Sequence, residues 1–252
     1  MDNLHIFVTN DIVNEFSKRV VDFGRRTKGP WSFFASGGSL APKLYQNLAT
    51  NITFKHQAAR IGFYLGDERV VDPDDEASNM FNLRKSLLEP LKSMGVIPQE
   101  FPPFTKNEFG RLSQRLHGNP ATDYKIFEGT AEDYGLMIQV APKPWLIHLG
   151  VGQDGHTASL FPNSPALFEN DPNKLYLANY DPSRTNPYCR LTLSLEAISQ
   201  AELVIITANG KGKSKIIEGL LDGHSPLPVA QIRAAKVNLI IDYEAASLVD
   251  KS

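Results

Sequence analysis

A glycine-rich stretch, residues 149–162, carries an aspartate and a histidine two residues apart. The apolar run before it, residues 144–149, predicts a buried strand, and the glycines favour a tight turn after that strand. Ligands bind where the strands of a parallel α/β sheet end, and a histidine placed there can transfer protons near neutral pH. We therefore predict that His156 is catalytic and that Asp154 orients it. A purely structural turn, with the histidine capping a helix or satisfying a buried group, is the alternative.

Three other predicted strands also end in polar or glycine-rich sequence that suits an anion. Residues 36–39, Ser-Gly-Gly-Ser, offer backbone N–H groups and the positive end of a following helix. Residues 66–69 end in Arg69, a candidate bidentate clamp for phosphate. Residues 209–213 bring two lysines beside the start of another helix. Because parallel strands end along one edge, we expect all three clusters to meet His156 in one crevice.

Each cluster also has an ordinary structural explanation. Residues 36–39 can be a plain strand-to-helix turn, and residues 66–69 can form a surface ion pair. The lysine loop, Lys211 in particular, can be solvated. The glycine spacing fits neither a dinucleotide-binding fingerprint nor a P-loop. Arg190 enters a predicted strand after a proline and is a further cation, whose direction the sequence leaves open.

Other reactive side chains are predicted to be structural. His148 falls inside the apolar strand, as a satisfied core histidine does. Cys189 is the one cysteine of the chain and is predicted to be reduced and packed. Ser159 lies only three residues from the histidine and outside any nucleophile elbow, so covalent catalysis is disfavoured. No histidine or carboxylate cluster has zinc-ligand spacing, which predicts that no metal is required.

Strands alternate with helices along almost the whole chain, which predicts one α/β domain over residues 1–252 with a mostly parallel sheet flanked by helices. A first helix is expected from Ile12 with a stop near Gly24, and a later one over residues 130–139, opened by Thr130. Residues 95–118, which contain three prolines, are expected to form loop or a small inserted lid or subdomain.

The composition excludes several classes of partner. A chain of 252 residues with 42% hydrophobic and 21% charged residues is typical of a globular protein. Its formal net charge of −2 favours neither a nucleic-acid nor a membrane-surface partner. The N-terminal residues lack signal-peptide features, and no apolar run approaches the roughly 20 residues that span a bilayer. A cytoplasmic location is the resulting expectation.

Taken in order, these motifs closely resemble those of the glucosamine-6-phosphate isomerase/6-phosphogluconolactonase family, on its lactonase side. The resemblance is carried by Ser-Gly-Gly-Ser at 36–39, Gly-Asp-Glu-Arg at 66–69 with Ser-Asn at 78–79, Gly-x-Gly-x-Asp-Gly-His-Thr-Ala-Ser-Leu-Phe-Pro at 150–162, Arg-Leu-Thr-Leu at 190–193 and Gly-x-Gly-Lys at 210–213. It spans most of the chain, and ordered motifs are far more specific together than singly. It implies a fold similar to glucosamine-6-phosphate deaminase and ribose-5-phosphate isomerase.

The resemblance also implies a reaction, the cofactor-free hydrolysis of 6-phospho-D-glucono-1,5-lactone to 6-phosphogluconate in the oxidative pentose phosphate pathway. A small-molecule sugar-phosphate lactone would be the partner, with neither nucleic acid nor membrane, and the protein is expected to be a monomer or a weak homo-oligomer. His156 would act as general base with Asp154 beside it. The residues then expected at the substrate and its phosphate are Ser36, Gly37, Gly38, Ser39, Asp67, Arg69, Asn79, Gly152, Arg190 and Lys213.

Two other functions compete with this one. The deaminases resemble Asp-Gly-His-Ile-Ala-Phe-Asn-Glu-Pro at the histidine loop, with a glutamate five residues after the histidine that serves a ring-opening proton relay. Here that position is Phe161, whose ring cannot exchange a proton. A sugar-phosphate-binding regulator without chemistry is the second rival. Such proteins usually carry a DNA-reading helical module, for which neither terminus has the room or the basic charge.

Overall fold

The computed structural model describes residues 3–221 and 225–249. Strands and helices alternate along the chain, as the sequence pattern predicts. The strands are β1 (Leu4–Val8), β2 (Trp31–Ala35), β3 (Ile61–Leu65), β4 (Asp67–Arg69), β5 (Gln99–Glu100), β6 (Trp145–Gly150), β7 (Tyr176–Asn179), β8 (Arg190–Leu193), β9 (Leu203–Ala208) and β10 (Val237–Ile241). The helices are α1 (Ile12–Arg26), α2 (Ala41–Thr50), α3 (Ile52–Ala58), α4 (Asn79–Leu83), α5 (Glu89–Ser93), α6 (Lys106–Ser113), α7 (Pro120–Asp123), α8 (Glu128–Gln139), α9 (Leu195–Ser199) and α10 (Ser214–Leu221).

Seven strands form a fully parallel sheet in the order β1-β10-β9-β6-β2-β3-β5. Its inner strands are buried on both faces, so they are apolar almost throughout rather than alternating. Successive residues of a strand point to opposite faces, and Phe33 and Phe34 accordingly pack into two different hydrophobic clusters. The predicted α/β class, with a mostly parallel sheet between helices, is confirmed.

A second, antiparallel sheet of three strands, in the order β4-β8-β7, forms the small subdomain. Gly66 is the switch between the two sheets, because its N–H donates to Ala35 O (2.8 Å) while its carbonyl accepts from Leu193 N (2.8 Å). The chain therefore leaves the main sheet after β3 and enters the small one within a single residue. The register of β4 against β8 places Arg69 directly opposite Arg190.

Several predicted element boundaries were wrong. Helix α1 continues past Gly24 to Arg26, because Gly24 is buried where the amide of Gln57 packs and a side chain would overlap it. Helix α8 begins at Glu128 rather than Thr130, since a 3₁₀ turn, Tyr124–Phe127, runs directly into it and removes the need for a side-chain cap.

Residues 95–118 are more regular than the expected loop or lid. Strand β5 pairs with β3 and extends the main sheet. Helix α6 starts at a capping box in which Thr105 and Glu108 bond each other's backbone N–H groups. Phe104 belongs to the buried core and four further apolar side chains pack against it, which explains why the segment is ordered: Phe101, Phe109, Leu112 and Leu116.

Candidate active site

A polar cavity of about 220 Å³ opens at the carboxyl ends of the central parallel strands, where ligands of such sheets bind. All the polar strand ends singled out in the sequence reach it. Ten of the twelve predicted site residues line it, namely Ser36, Gly37, Gly38, Ser39, Asp67, Arg69, Gly152, His156, Arg190 and Lys213. A neighbouring hollow of about 350 Å³ shares residues 36–39 and Arg69 with it.

The histidine and the aspartate of the glycine-rich loop are in direct contact. Asp154 Oδ1 lies 2.6 Å from His156 Nδ1 and also accepts the backbone N–H of His156 at 3.1 Å. Because a carboxylate can only accept, Nδ1 carries the proton in the neutral ring and Nε2 keeps its lone pair. Partial burial tends to raise the pKa of Asp154, but the hydrogen bond and charge of His156 outweigh it and lower that pKa. The pair is thus an ionised carboxylate holding an imidazole ready to accept a proton.

The loop backbone and one aromatic ring fix this His156–Asp154 pair. Gly152 donates its N–H to His156 O at 2.8 Å, and a side chain at Gly152 would overlap both members of the pair. Gly155 has φ +82°, the left-handed conformation that glycine adopts without strain. Phe161 is buried, with its ring centroid 4.8 Å from that of His156. The turn therefore needs glycine at two positions for reasons that the local sequence already encodes.

Arg69 and Arg190 form an arginine pair across the two paired strands of the small sheet. Arg190 is 5% exposed, donates to Asn186 Oδ1 at 3.2 Å and lies 5.7 Å from the ring centroid of Phe161. Arg69 donates to the carbonyl of Ala77 at 2.6 Å. Burial and then the charge of Arg69 lower the pKa of Arg190 to about 10. Two guanidinium charges side by side, that of Arg190 buried and that of Arg69 partly buried, create a strong local preference for an anion.

Unused hydrogen-bond donors surround this point. In residues 3–221 and 225–249, the Nε atoms of Arg69 and Arg190 are buried and have no acceptor. Within the same ranges, the backbone N–H groups of Gly37, Gly38 and Ser39 make no internal hydrogen bond. These amides precede α2, whose positive end faces the same side. The combination of two guanidinium groups and a row of amides is suited to a phosphate dianion.

Lys213 completes the cationic lining of the cavity from the far side. It lies on a 3₁₀ turn, Lys211–Lys213, that follows β9 directly. Burial lowers the pKa of Lys213, and the charge of Asp154 opposes that effect. Lys211 is exposed and is not among the lining residues, in line with the solvated interpretation of that lysine.

Asp154 and Asn79 are the two predicted site residues that do not line the cavity. Asp154 contacts His156 from outside the lining, at 2.6 Å from its Nδ1. Asn79 donates instead to Asp67 O at 2.8 Å and to Asp67 Oδ1 at 3.3 Å, and its side chain fills the space beside Gly37. Ser159, fully buried, donates to Asp67 Oδ2 at 2.7 Å. Asp67 Oδ2 also lies 4.0 Å from Arg190 Nη1, so Asp67 ties the histidine loop to the arginine pair at the cavity wall.

Glu68 is buried and binds backbone rather than ligand. Its carboxylate accepts hydrogen bonds from the N–H groups of Arg69, Asn79 and Met80 and from the hydroxyl of Ser78, at 2.6 to 3.0 Å. Burial raises the pKa of Glu68 to about 7, although these four hydrogen bonds favour the charged form. Glu68 thus caps α4 and fixes the loop that Arg69 contacts.

Glu68→Gln is expected to lower the free energy of unfolding by about 1–3 kcal/mol, because the new amide group would face donors only. Urea unfolding of the variant and the parent protein measures the difference. Glu76→Gln, at an exposed position on the same loop, is the matched control and should stay near the parent value. Equal unfolding midpoints for Glu68→Gln and the parent would contradict this role.

His148 is a satisfied core histidine, as the sequence predicts. It is 1% exposed, with Nδ1 2.7 Å from Tyr45 Oη and Nε2 3.0 Å from Thr207 Oγ1. Burial lowers the pKa of His148 to about 3. Cys189 is likewise buried and reduced, and burial raises the pKa of its thiol to about 11.

The pKa of His148 predicts an acid-sensitive contribution to stability. Between pH 6.5 and 3 the unfolded chain binds a proton at this residue and the folded chain does not. Stability should therefore fall as the pH decreases through this range, by up to about 1.4 kcal/mol per pH unit, with no effect above it. The difference in unfolding free energy between the parent and His148→Leu, measured by urea titration from pH 7.5 to 4.5, isolates this term. A difference that is independent of pH would contradict it.

Asn186, Ala158 and Thr207 are among the lining residues that sequence reasoning did not assign to the site. Asn186 lies in a loop without a motif, and only its contact with Arg190 reveals it. Ala158 has φ +48°, a strained value for a side-chain-bearing residue, which local sequence does not reveal. Thr207 sits near the end of β9, a strand interpreted from the sequence as fully apolar. A polar residue at the carboxyl end of a parallel strand was the signal that could have found it.

Residues 3–221 and 225–249 contain neither a metal-binding cluster nor a membrane-spanning helix. Within these ranges, no group of three or more His, Cys, Asp or Glu side chains stands close enough to hold a metal ion. The same part of the chain contains no helix long and apolar enough to cross a membrane.

Comparison with known proteins shows to which family this chain is related. The sequence matches the family described as glucosamine-6-phosphate isomerases/6-phosphogluconolactonase over residues 8–241. It is 33% identical over 227 residues to 6-phosphogluconolactonase of Homo sapiens, covering 85% of this chain and 79% of that protein. The crystal structure of 6-phosphogluconolactonase from Leishmania guyanensis superposes with a TM-score of 0.78 at 25% identity, over 98% of both chains.

A monomeric glucosamine-6-phosphate deaminase superposes with a TM-score of 0.68 at 17% identity, over 98% of this chain and 99% of the deaminase. At that identity the likeness shows a common fold, and the predicted similarity to the deaminase fold is confirmed. The match over nearly the whole sequence, together with the relatives at one-third identity, extends the relationship beyond the fold. The chain belongs to the glucosamine-6-phosphate isomerase/6-phosphogluconolactonase family.

Proposed function

We propose that this protein is a 6-phosphogluconolactonase that hydrolyses 6-phospho-D-glucono-1,5-lactone to 6-phosphogluconate without a metal or cofactor. The observation that carries the proposal is one cavity containing both a carboxylate-oriented histidine and a pair of arginines whose buried Nε donors are unused. The substrate has the two matching features, an electrophilic ester carbonyl and a phosphate dianion. Named relatives at about one-third identity support the same activity.

Phosphate binding supplies the positioning. Arg69 and Arg190 offer charge-assisted hydrogen bonds, the backbone N–H groups of residues 37–39 add neutral donors, and Lys213 adds a further charge. Holding the phosphate in one place restricts where the lactone ring can lie. Much of the entropy loss needed to reach the transition state therefore occurs on binding, where the binding energy of the phosphate offsets it.

The chemical step uses His156 twice. Nε2 takes a proton from water as the water oxygen forms a bond to the lactone carbonyl carbon, giving a tetrahedral oxyanion. That oxyanion collapses, the bond from the carbon to the ring oxygen breaks, and the imidazolium returns its proton to the departing oxygen. Asp154 stabilises the imidazolium between the two transfers. Gly152 and Gly155 use their N–H groups inside the turn, so neither of these two amides is available to stabilise the oxyanion.

Phe161 supports the lactonase over the deaminase. The position that would carry the glutamate of the deaminase relay holds a buried ring packed between His156 and Arg190. No proton can pass through it, and a lactone needs no ring-opening isomerisation. The His156–Asp154 pair likewise argues against a regulator that only binds ligand, because binding alone does not require an oriented proton acceptor.

Three measurements separate the three functions. Purified protein is mixed with freshly prepared lactone, and proton release is followed against the spontaneous rate. Release well above that rate supports the lactonase. Ammonia release from glucosamine 6-phosphate supports the deaminase. Binding of 6-phosphogluconate with neither activity supports the regulator.

A further inference from the structure

A buried chain of hydrogen bonds connects the loop of residues 36–39 to the opposite wall of the cavity. Tyr45 Oη accepts the N–H of Ser36 at 2.7 Å and lies 2.7 Å from His148 Nδ1. His148 Nε2 in turn lies 3.0 Å from Thr207 Oγ1. Tyr45, His148 and Thr207 are each at least 96% buried, since their exposed fractions are 2%, 1% and 4%. The proposed reaction assigns no role to any of them.

The tautomer of His148 sets the direction of every proton in this chain of hydrogen bonds. The Tyr45 hydroxyl proton has two acceptors within hydrogen-bond distance, His148 Nδ1 at 2.7 Å and the carbonyl of Ser36 at 3.0 Å. If Tyr45 donates to Nδ1, the neutral ring carries its proton on Nε2 and donates it to Thr207 Oγ1. Thr207 then accepts from His148, and its own hydroxyl proton is left over.

In that arrangement the Thr207 hydroxyl proton is not donated to any group in the described part of the chain. The hydrogen bonds of Thr207 Oγ1 within residues 3–221 and 225–249 are limited to the one with His148. Thr207 and His148 both line the cavity that holds His156. An almost fully buried hydroxyl with one unused donor at a cavity wall is adapted to an acceptor that arrives with the ligand.

From these contacts we propose that Thr207 is a substrate-contacting residue that donates a hydrogen bond to an uncharged oxygen of the sugar portion, and that His148 and Tyr45 are positioning residues that direct its hydroxyl. The proposal rests on the proposed lactonase function. An uncharged acceptor fits because every member of this hydrogen-bond chain is neutral. The cations of the cavity are instead Arg69, Arg190 and Lys213. Thr207 would therefore make the protein discriminate between ligands by their sugar portion rather than by their phosphate group.

Calorimetric binding of two probes tests this directly. Thr207→Val keeps the shape and removes the hydroxyl, so its affinity for 6-phosphogluconate should fall about 3- to 10-fold, the loss expected for one neutral hydrogen bond. Its affinity for inorganic phosphate should not change. Thr207→Ser keeps the hydroxyl and should restore most of the affinity for 6-phosphogluconate. Equal weakening for both probes, or no weakening for either, would overturn the proposal.

The positioning role has its own readouts. His148→Gln can keep a donor where Nε2 lies, and His148→Leu cannot, so the glutamine variant should bind 6-phosphogluconate more tightly than the leucine variant. Nitrogen chemical shifts of His148 in the parent protein should report the Nε2-protonated tautomer. The Nδ1-protonated tautomer would overturn the assigned direction. Because binding and shifts need no turnover, they remain decisive if the lactonase assay itself fails.

Discussion

Replacing His156 with alanine is expected to lower kcat for the lactone by about 10²- to 10⁴-fold, the range that general base catalysis contributes. The variant loses the cavity side chain that the Asp154 carboxylate holds in place as a proton acceptor. Stopped-flow proton release, corrected for spontaneous hydrolysis, measures the effect. Binding of 6-phosphogluconate should survive, because the groups proposed to hold the phosphate are untouched.

The control for this prediction is His56→Ala, since His56 is exposed on α3 and away from the cavity. Its rate should equal that of the parent protein. Asp154→Asn should fall between the parent and His156→Ala, because an amide can still accept from Nδ1 but cannot stabilise the imidazolium by charge. A wild-type rate for His156→Ala would remove His156 from the mechanism. Loss of 6-phosphogluconate binding in the same variant would instead indicate damage to the cavity.

Replacing Arg69 with alanine is expected to raise KM for the lactone by about 10- to 100-fold while kcat changes much less. Arg69 is one half of the arginine pair, and its Nε is among the buried donors without an acceptor in the described chain. Removing a charge-assisted hydrogen bond to a phosphate weakens ground state and transition state alike, so the loss falls on binding. Initial rates over a range of lactone concentrations separate the two constants.

Two further measurements make this result specific. Inorganic phosphate should inhibit the parent protein competitively and should inhibit Arg69→Ala far more weakly. Lys211→Ala removes an exposed positive charge near the cavity without touching its lining, and it should leave KM unchanged. An Arg69→Ala variant with the KM of the parent would place the phosphate elsewhere. A large KM increase in Lys211→Ala would mean that long-range attraction, rather than contact, decides affinity.

Local sequence determined a large part of this molecule. The glycines and the Asp-Gly-His spacing of residues 152–156 are enough to predict a turn that brings a carboxylate to its histidine, because that contact spans two residues. Apolar runs ending in polar residues predicted both the parallel sheet and the edge at which ligands bind, since parallel strands share one carboxyl edge. The ordered motifs then pointed to the family.

Tertiary structure decided the rest, because register and burial arise from pairing between distant segments. Arg69 and Arg190 face each other only through the alignment of β4 with β8, which no local pattern encodes. Asn79 belongs to a motif that suggested substrate contact, yet the fold turns it toward Asp67. The link from Tyr45 through His148 to Thr207 joins a helix and two strands that become neighbours only when the core packs. The sequence identifies the reactive groups, and the packing of distant segments determines which of them are in contact.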